Sequence, residues 1–323
     1  MKCRKVMAKR WLTVIVNDLD LFVRIAIALY EEHDKERFLW PDTDDFERGR
    51  RWVFRGQRKR QWDIVSTLER CHHSGYASCI GLKKLEQKLV EEFERDASIF
   101  ISLNGWSKFD VLALMRHYEV PTRLVDFSES PFVALYFGIA DKEPQEDFCV
   151  WAVCIDALKE YPPLDDIVVF KRHDPALTCQ KDAHELFKCF EDNIGEATEK
   201  RTTPNVFYAY PRRGNTRLSA QSGLFLVQSA LGVKFMDDLK ESLGCKDANA
   251  TTIKLTEIYK ENRVPDVSIF SNLIKFVFPH EMGNRCISLL RSMNISPKIL
   301  YTGLEGISKS LSQYLPLIDE RLC

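Results

Sequence analysis

The sequence predicts a mixed α+β domain with helical additions at both ends. An uncharged run, Phe148 to Ile155, is long enough for one buried strand and too short for a core helix. Apolar residues at helical spacing with charge between them mark Leu82 to Ile101 as a helix. No internal repeat, low-complexity tract or long linker divides the 323 residues, so strands and helices share one core.

In chain order, Trp11 to Val16 reads as a strand or a helix start. A helix follows, with Leu21, Val23, Ile25, Ile27 and Leu29 as its apolar positions. After a polar stretch, Trp52-Val53-Phe54 is a short apolar run before Gly56, the pattern of a buried strand. In the Leu82 to Ile101 helix, Leu85, Leu89, Phe93, Ile99 and Phe100 form the apolar stripe. Val111 to Tyr118 is a further helix, ended before Pro121 because a residue preceding proline disfavours the helical region. Ser130 is the expected N-cap of a helix over 131–140, with Pro131 in the first turn, where a missing N–H costs nothing. Ile167–Phe170, Phe207–Tyr210 and Gly223–Val227 are shorter strand candidates. Ile253–Tyr259 and Ile269–Val277 read as strands or edge elements, and Asn284–Met293 and Leu304–Tyr314 as helices.

Composition sets the class. Hydrophobic residues make up 45% and charged residues 29%, as in soluble globular proteins. The apolar stretch after the basic N-terminus is interrupted by Asn17, Asp18 and Asp20, too short for a secretory or membrane-spanning segment, so a cytoplasmic protein without a membrane partner is expected. Ten scattered cysteines show no two-residue spacing, and His72 and His73 lack a second ligand pair, so no metal is expected. A net charge of −1 argues against attachment to nucleic acid by overall charge. Charge is uneven, however: residues 48–60 hold seven basic residues and no acid, a local patch able to hold phosphates.

Two phrases look like a binding site rather than a core. In Trp-Val-Phe-Arg-Gly-Gln (52–57), Arg55 can fork onto a carboxylate or phosphate, Gly56 allows close approach and Gln57 adds an amide. In Met115 to Asp126, His117 and Tyr118 offer aromatic surface, and Thr122 and Arg123 can reach phosphate oxygens. Asp126 either pairs with Arg123 to fix the turn or serves the site. Glu129, near a helix N-terminus, is a candidate acid–base group. Arg217, Gln221 and Gly223 lead into a further strand. No nucleophile elbow, Walker loop or dinucleotide-binding glycine loop is present.

These phrases together resemble the FRG domain family: Phe54-Arg55-Gly56; Arg116-His117-Tyr118 through Pro131 with the following Ala-Leu-Tyr-Phe; and Arg217 with Gln221-Ser-Gly223-Leu-Phe225. Phe278-Pro279, Ile295-Ser296 and Leu304-Glu-Gly306-Ile resemble the family's ending. The likeness implies a domain over 35–315, flanked by an N-terminal helical segment (1–34) and a tail (316–323). It also implies a central split β-sheet of ADP-ribosyltransferase-like type, and a bacterial toxin or phage-defence effector using NAD as substrate to modify RNA or protein. An antitoxin or regulatory protein is an implied partner. In that reading Arg55, Asp126, Glu129 and Gln221 are catalytic, and Phe54, Gly56, Gln57, His117, Tyr118, Thr122, Arg123 and Arg217 bind the dinucleotide. Gln221 stands where that superfamily places a late acid, and an amide cannot act as a base. The competing expectation is a non-catalytic module that binds a nucleotide or phage component and regulates a partner.

Overall fold

The uncharged run forms the central strand of the protein. The computed structural model describes residues 11–34, 50–73, 81–140, 146–158, 206–211, 216–228, 231–245, 251–258, 271–301 and 303–311. The expected strand Ile167–Phe170 and the tail 316–323 lie outside them.

Among the described residues, eight strands form one sheet: β1 (Leu12–Ile15), β2 (Trp52–Gln57), β3 (Leu124–Ser128), β4 (Phe148–Cys154), β5 (Val206–Ala209), β6 (Gly223–Gln228), β7 (Thr251–Lys254) and β8 (Leu273–Phe278). Their spatial order is β5-β6-β3-β2-β4-β8-β1-β7. β1 runs parallel to both β7 and β8, and the other pairings are antiparallel. The strand near the N-terminus is thus an internal member of the sheet, not part of a separate helical segment. β4 is buried at all positions because β2 and β8 flank it and both faces are covered.

On one face, α1 (Leu19–Asp34) and α5 (Pro131–Ile139) pack over Trp52, Phe54, Val150, Ala152 and Phe276. There Phe148 stacks on Phe278 at 5.0 Å and Phe22 meets Phe278 edge-on at 4.8 Å. Burying each such ring contributes about 1.5–3 kcal/mol. The opposite face holds Val53, Ile64, Trp151 and Val153 together with α7 (Phe235–Ser242). A third cluster joins α3 (Leu82–Ala97) and α4 (Lys108–His117) to Leu124, Phe225 and Val227. The remaining helices among the described residues include α2 (Thr67–His73), α6 (Thr216–Ala220), α8 (Leu255–Ile258), α9 (Gly283–Ser292), α10 (Pro297–Leu300) and one over 303–311.

Local chemistry sets the boundaries. The Asp18 carboxylate accepts the Leu21 N–H at 3.1 Å, so the polar break after β1 is the cap of α1. Ser107 accepts from Asp110 N–H and donates to its carboxylate at 2.7 Å. Ser130 caps α5 as expected, accepting from Val133 N–H. The helix expected to reach Ile101 ends at Ala97: the Ser98 hydroxyl bonds the Arg95 carbonyl and the chain turns. Ile99 and Phe100 therefore lie 78% and 89% exposed rather than on an apolar stripe. The 253–259 segment is a strand only to Lys254, after which α8 begins. No helix among the described residues is long and apolar enough to cross a membrane.

Candidate functional site

Between β2 and β3 the sheet parts. The two strands pair at one position, Phe54 opposite Ser128, whereas β2 pairs with β4 along all six of its residues. Past that single bridge, the Arg55 side chain reaches across in place of a backbone ladder. Its Nη1 donates to the Asp126 carbonyl at 2.5 Å and lies 3.8 Å from the Asp126 carboxylate. A cavity of about 490 Å³ opens at this parting.

Four helices around it bring a cation each. α4 ends with Arg116, whose Nε and Nη2 donate to one Asp126 oxygen at 2.9 and 2.7 Å. α4 closes in a double turn: Glu119 N–H bonds the Arg116 carbonyl and Val120 N–H the Met115 carbonyl, with Glu119 at φ +65°. α2 supplies Arg70 and is fixed by Thr67, whose hydroxyl donates to the Thr122 carbonyl and accepts the Thr122 N–H. From α6, Arg217 lies 4.7 Å from the centre of the Tyr301 ring, and Lys309 lies 4.4 Å from it. Glu305 is 3.9 Å from Arg217 and 3.7 Å from Lys309.

Among the described residues, six cationic side chains line the cavity (Arg55, Arg58, Arg70, Arg116, Arg217 and Lys309) against two acids, Glu119 and Asp126. The surplus of four contrasts with −1 for the whole chain. Burial and the neighbouring Arg116 and Arg70 lower Arg55 to about 10, although Asp126 opposes the shift. Burial and Arg116 also push Arg70 down. Burial works against ionisation of Asp126, yet Arg116 and Arg55 outweigh it and hold the carboxyl below its ordinary range. The Asp126 side chain keeps 40% of its surface because it borders the cavity, not because it lies on the protein's exterior. Burial and Arg217 lower His117, so its imidazole is neutral at pH 7 and adds no charge to the wall.

The cavity brings together Phe54, Arg55, Gly56, His117, Asp126, Arg217 and Gln221 from the expected set. The structure gives the others different work. Arg123 is 4% exposed and forks onto Glu86, itself 3% exposed, so it locks α3 to β3 and meets neither Asp126 nor the cavity. Thr122 is wholly buried, its backbone tied to Thr67. Gln57 is held inside the other face, donating to the Asp63 carbonyl and accepting from the Trp151 indole at 2.8 Å. Glu129 accepts from the Tyr210 hydroxyl at 2.6 Å and is absent from the lining. Tyr118 is 66% exposed beside His117 rather than inside the cavity.

Gly56 has a structural reason beyond ligand approach: a Cβ there would lie 1.9 Å from the Ala134 carbonyl oxygen and 2.4 Å from Gly138 N, in the backbone of α5. Gly223 likewise makes room for Leu218. The Gln221 side chain donates to the Leu300 carbonyl, tying α6 to α10. The basic stretch 48–60 is answered by acids distant in sequence: Arg51 pairs with Asp156, Lys59 with Glu146 and Arg60 with Asp147. Sequence reasoning passed over Arg70 and Lys309, which stand alone among neutral or acidic neighbours and acquire meaning only beside the parting.

Residues 50–147 match the family model of the FRG domain. This stretch contributes the strands that part, β2 and β3, and three of the helices around the cavity, α2, α4 and α5. No curated protein and no solved structure matched the chain.

Proposed function

We propose that the cavity binds NAD and that the protein transfers ADP-ribose from it to an RNA or protein acceptor, as a toxin or phage-defence effector. One observation carries the reading: a surplus of four positive charges collected where the sheet parts inside an FRG domain. Guanidinium forks suit the pyrophosphate, and the rings of Phe54, Phe137 and Tyr301 in the same wall suit flat groups. Transfer breaks the C–N glycosidic bond, and the electron pair leaves with nicotinamide as the pyridinium becomes neutral. The acceptor atom bonds to the anomeric carbon and releases its proton to solvent. Asp126, ionised at neutral pH, acts here as a fixed negative charge toward the sugar rather than a proton carrier.

A second reading has its own support. Asp126 is engaged by two guanidiniums, Glu129 by Tyr210, and the Gln221 amide by Leu300, which suits a nucleotide-binding regulatory module. Nicotinamide release decides between them. The purified protein is incubated with NAD and lysate as acceptor source, beside Arg55→Ala. Release by the wild type and its loss in the variant support the enzyme. Nucleotide binding without release in any lysate sinks it and leaves the module.

A further inference from the structure

The donors of the cavity fall into two sets on different elements. Arg55, Arg70 and Arg116 come from β2, α2 and α4, with the Asp126 carboxylate held by Arg55 and Arg116. Arg217 and Lys309 come from α6 and the 303–311 helix, against Tyr301. In the first set two donor groups are unused by the protein. Arg55 Nε is buried without a hydrogen-bond partner, and the Arg70 guanidinium makes no hydrogen bond or ion pair with any described residue. A buried donor left unmade is costly, so its persistence points to an acceptor supplied from outside. The proximity of the three guanidiniums, which lowers Arg55 and Arg70, is a standing repulsion that an anion there would relieve.

One pyrophosphate does not balance this arrangement. NAD carries two phosphate charges and a pyridinium of opposite sign, a net charge of one, and Glu305 beside Arg217 and Lys309 answers one more, which leaves half of the surplus of four unmatched. A phosphomonoester adds about −1.5 to −2. We infer that the ligand bears a phosphomonoester in addition to its other phosphate, held by Arg55 Nε and Arg70, while Arg217 and Lys309 take the second anionic group. The inference rests on a nucleotide occupying this cavity and narrows it to the class of nucleoside bisphosphates and phosphorylated dinucleotides.

The test is calorimetric titration of the full chain with adenosine 2′,5′-bisphosphate and with AMP, followed by NADP and NAD. The bisphosphate is expected to bind about tenfold or more tighter than AMP, the worth of one added charge-assisted contact. Arg70→Gln and Lys309→Gln are each expected to shrink that ratio, with melting curves confirming the fold. Should Arg70→Gln fail to fold, Arg70→Lys reads the same ratio, because it keeps the charge and loses the fork. Equal affinity of the two mononucleotides, or a ratio untouched by either variant, overturns the inference even if NAD is bound and cleaved. A bisphosphate preference without binding of either dinucleotide upholds it and removes the NAD reading instead. Failure of every nucleotide to bind overturns both.

Discussion

Arg123→Ala separates a structural arginine from a ligand-binding one. Arg123 and Glu86 are both 4% exposed at their side chains, with Arg123 Nε 2.9 and 2.8 Å from the two carboxylate oxygens. The Arg123 backbone N–H also points at Glu86, and Nη1 reaches the Gln228 carbonyl at 3.4 Å. Removing the guanidinium strands a buried carboxylate, which costs about 3–5 kcal/mol. In a domain of this size each kcal/mol lowers the melting temperature by about 2–4 °C, so a fall of roughly 6–20 °C is expected. Replacing both partners with apolar residues, Arg123→Met with Glu86→Leu, removes the stranded charge and recovers most of that loss. The assay is thermal denaturation by circular dichroism, paired with nucleotide titration below the melting range. The single variant binds nucleotide like the wild type once folded. A variant that melts within about 2 °C of wild type but no longer binds would refute the placement of Arg123 in the core.

Gly56→Ala places a methyl 1.9 Å from a backbone oxygen of α5, so a loss of about 3 kcal/mol or more should show as a lower urea midpoint. Anion affinity at the cavity should fall as pH rises through about 10, to which burial lowers Arg55, and Arg55→Gln should show a smaller fall. Asp126, held below the ordinary carboxylate range, contributes stability that is present above that range. The contribution is lost as pH falls through its lowered folded value, so Asp126→Asn should flatten this acid limb in pH-dependent unfolding.

Much of the fold was legible because its signals are local. Phe148–Cys154 announces a buried strand by lacking charge, and Ser130-Pro131 announces a helix by its cap. The Phe-Arg-Gly phrase and the His-Tyr to Asp126 phrase were visible as unusual, and both border the cavity. Their division of labour was not visible. Arg116 and Arg123 sit seven residues apart in the same phrase, yet one faces the cavity and the other the core. Deciding between them needs the position of Glu86, on a helix far earlier in the chain. The basic stretch 48–60 divides for the same reason: Arg51, Lys59 and Arg60 are answered by acids at 156, 146 and 147, while Arg55 and Arg58 line the cavity.

The sequence by itself determined the buried strands Trp52–Phe54 and Phe148–Cys154, the Ser130 cap and the family model that residues 50–147 match, because backbone preference and apolar spacing act over a few neighbouring residues. Only the tertiary structure decided which cations count. Charge interaction depends on distance through space, and the parting of β2 from β3 brings Arg55, Arg70, Arg116, Arg217 and Lys309 to one cavity from across more than 250 residues of chain.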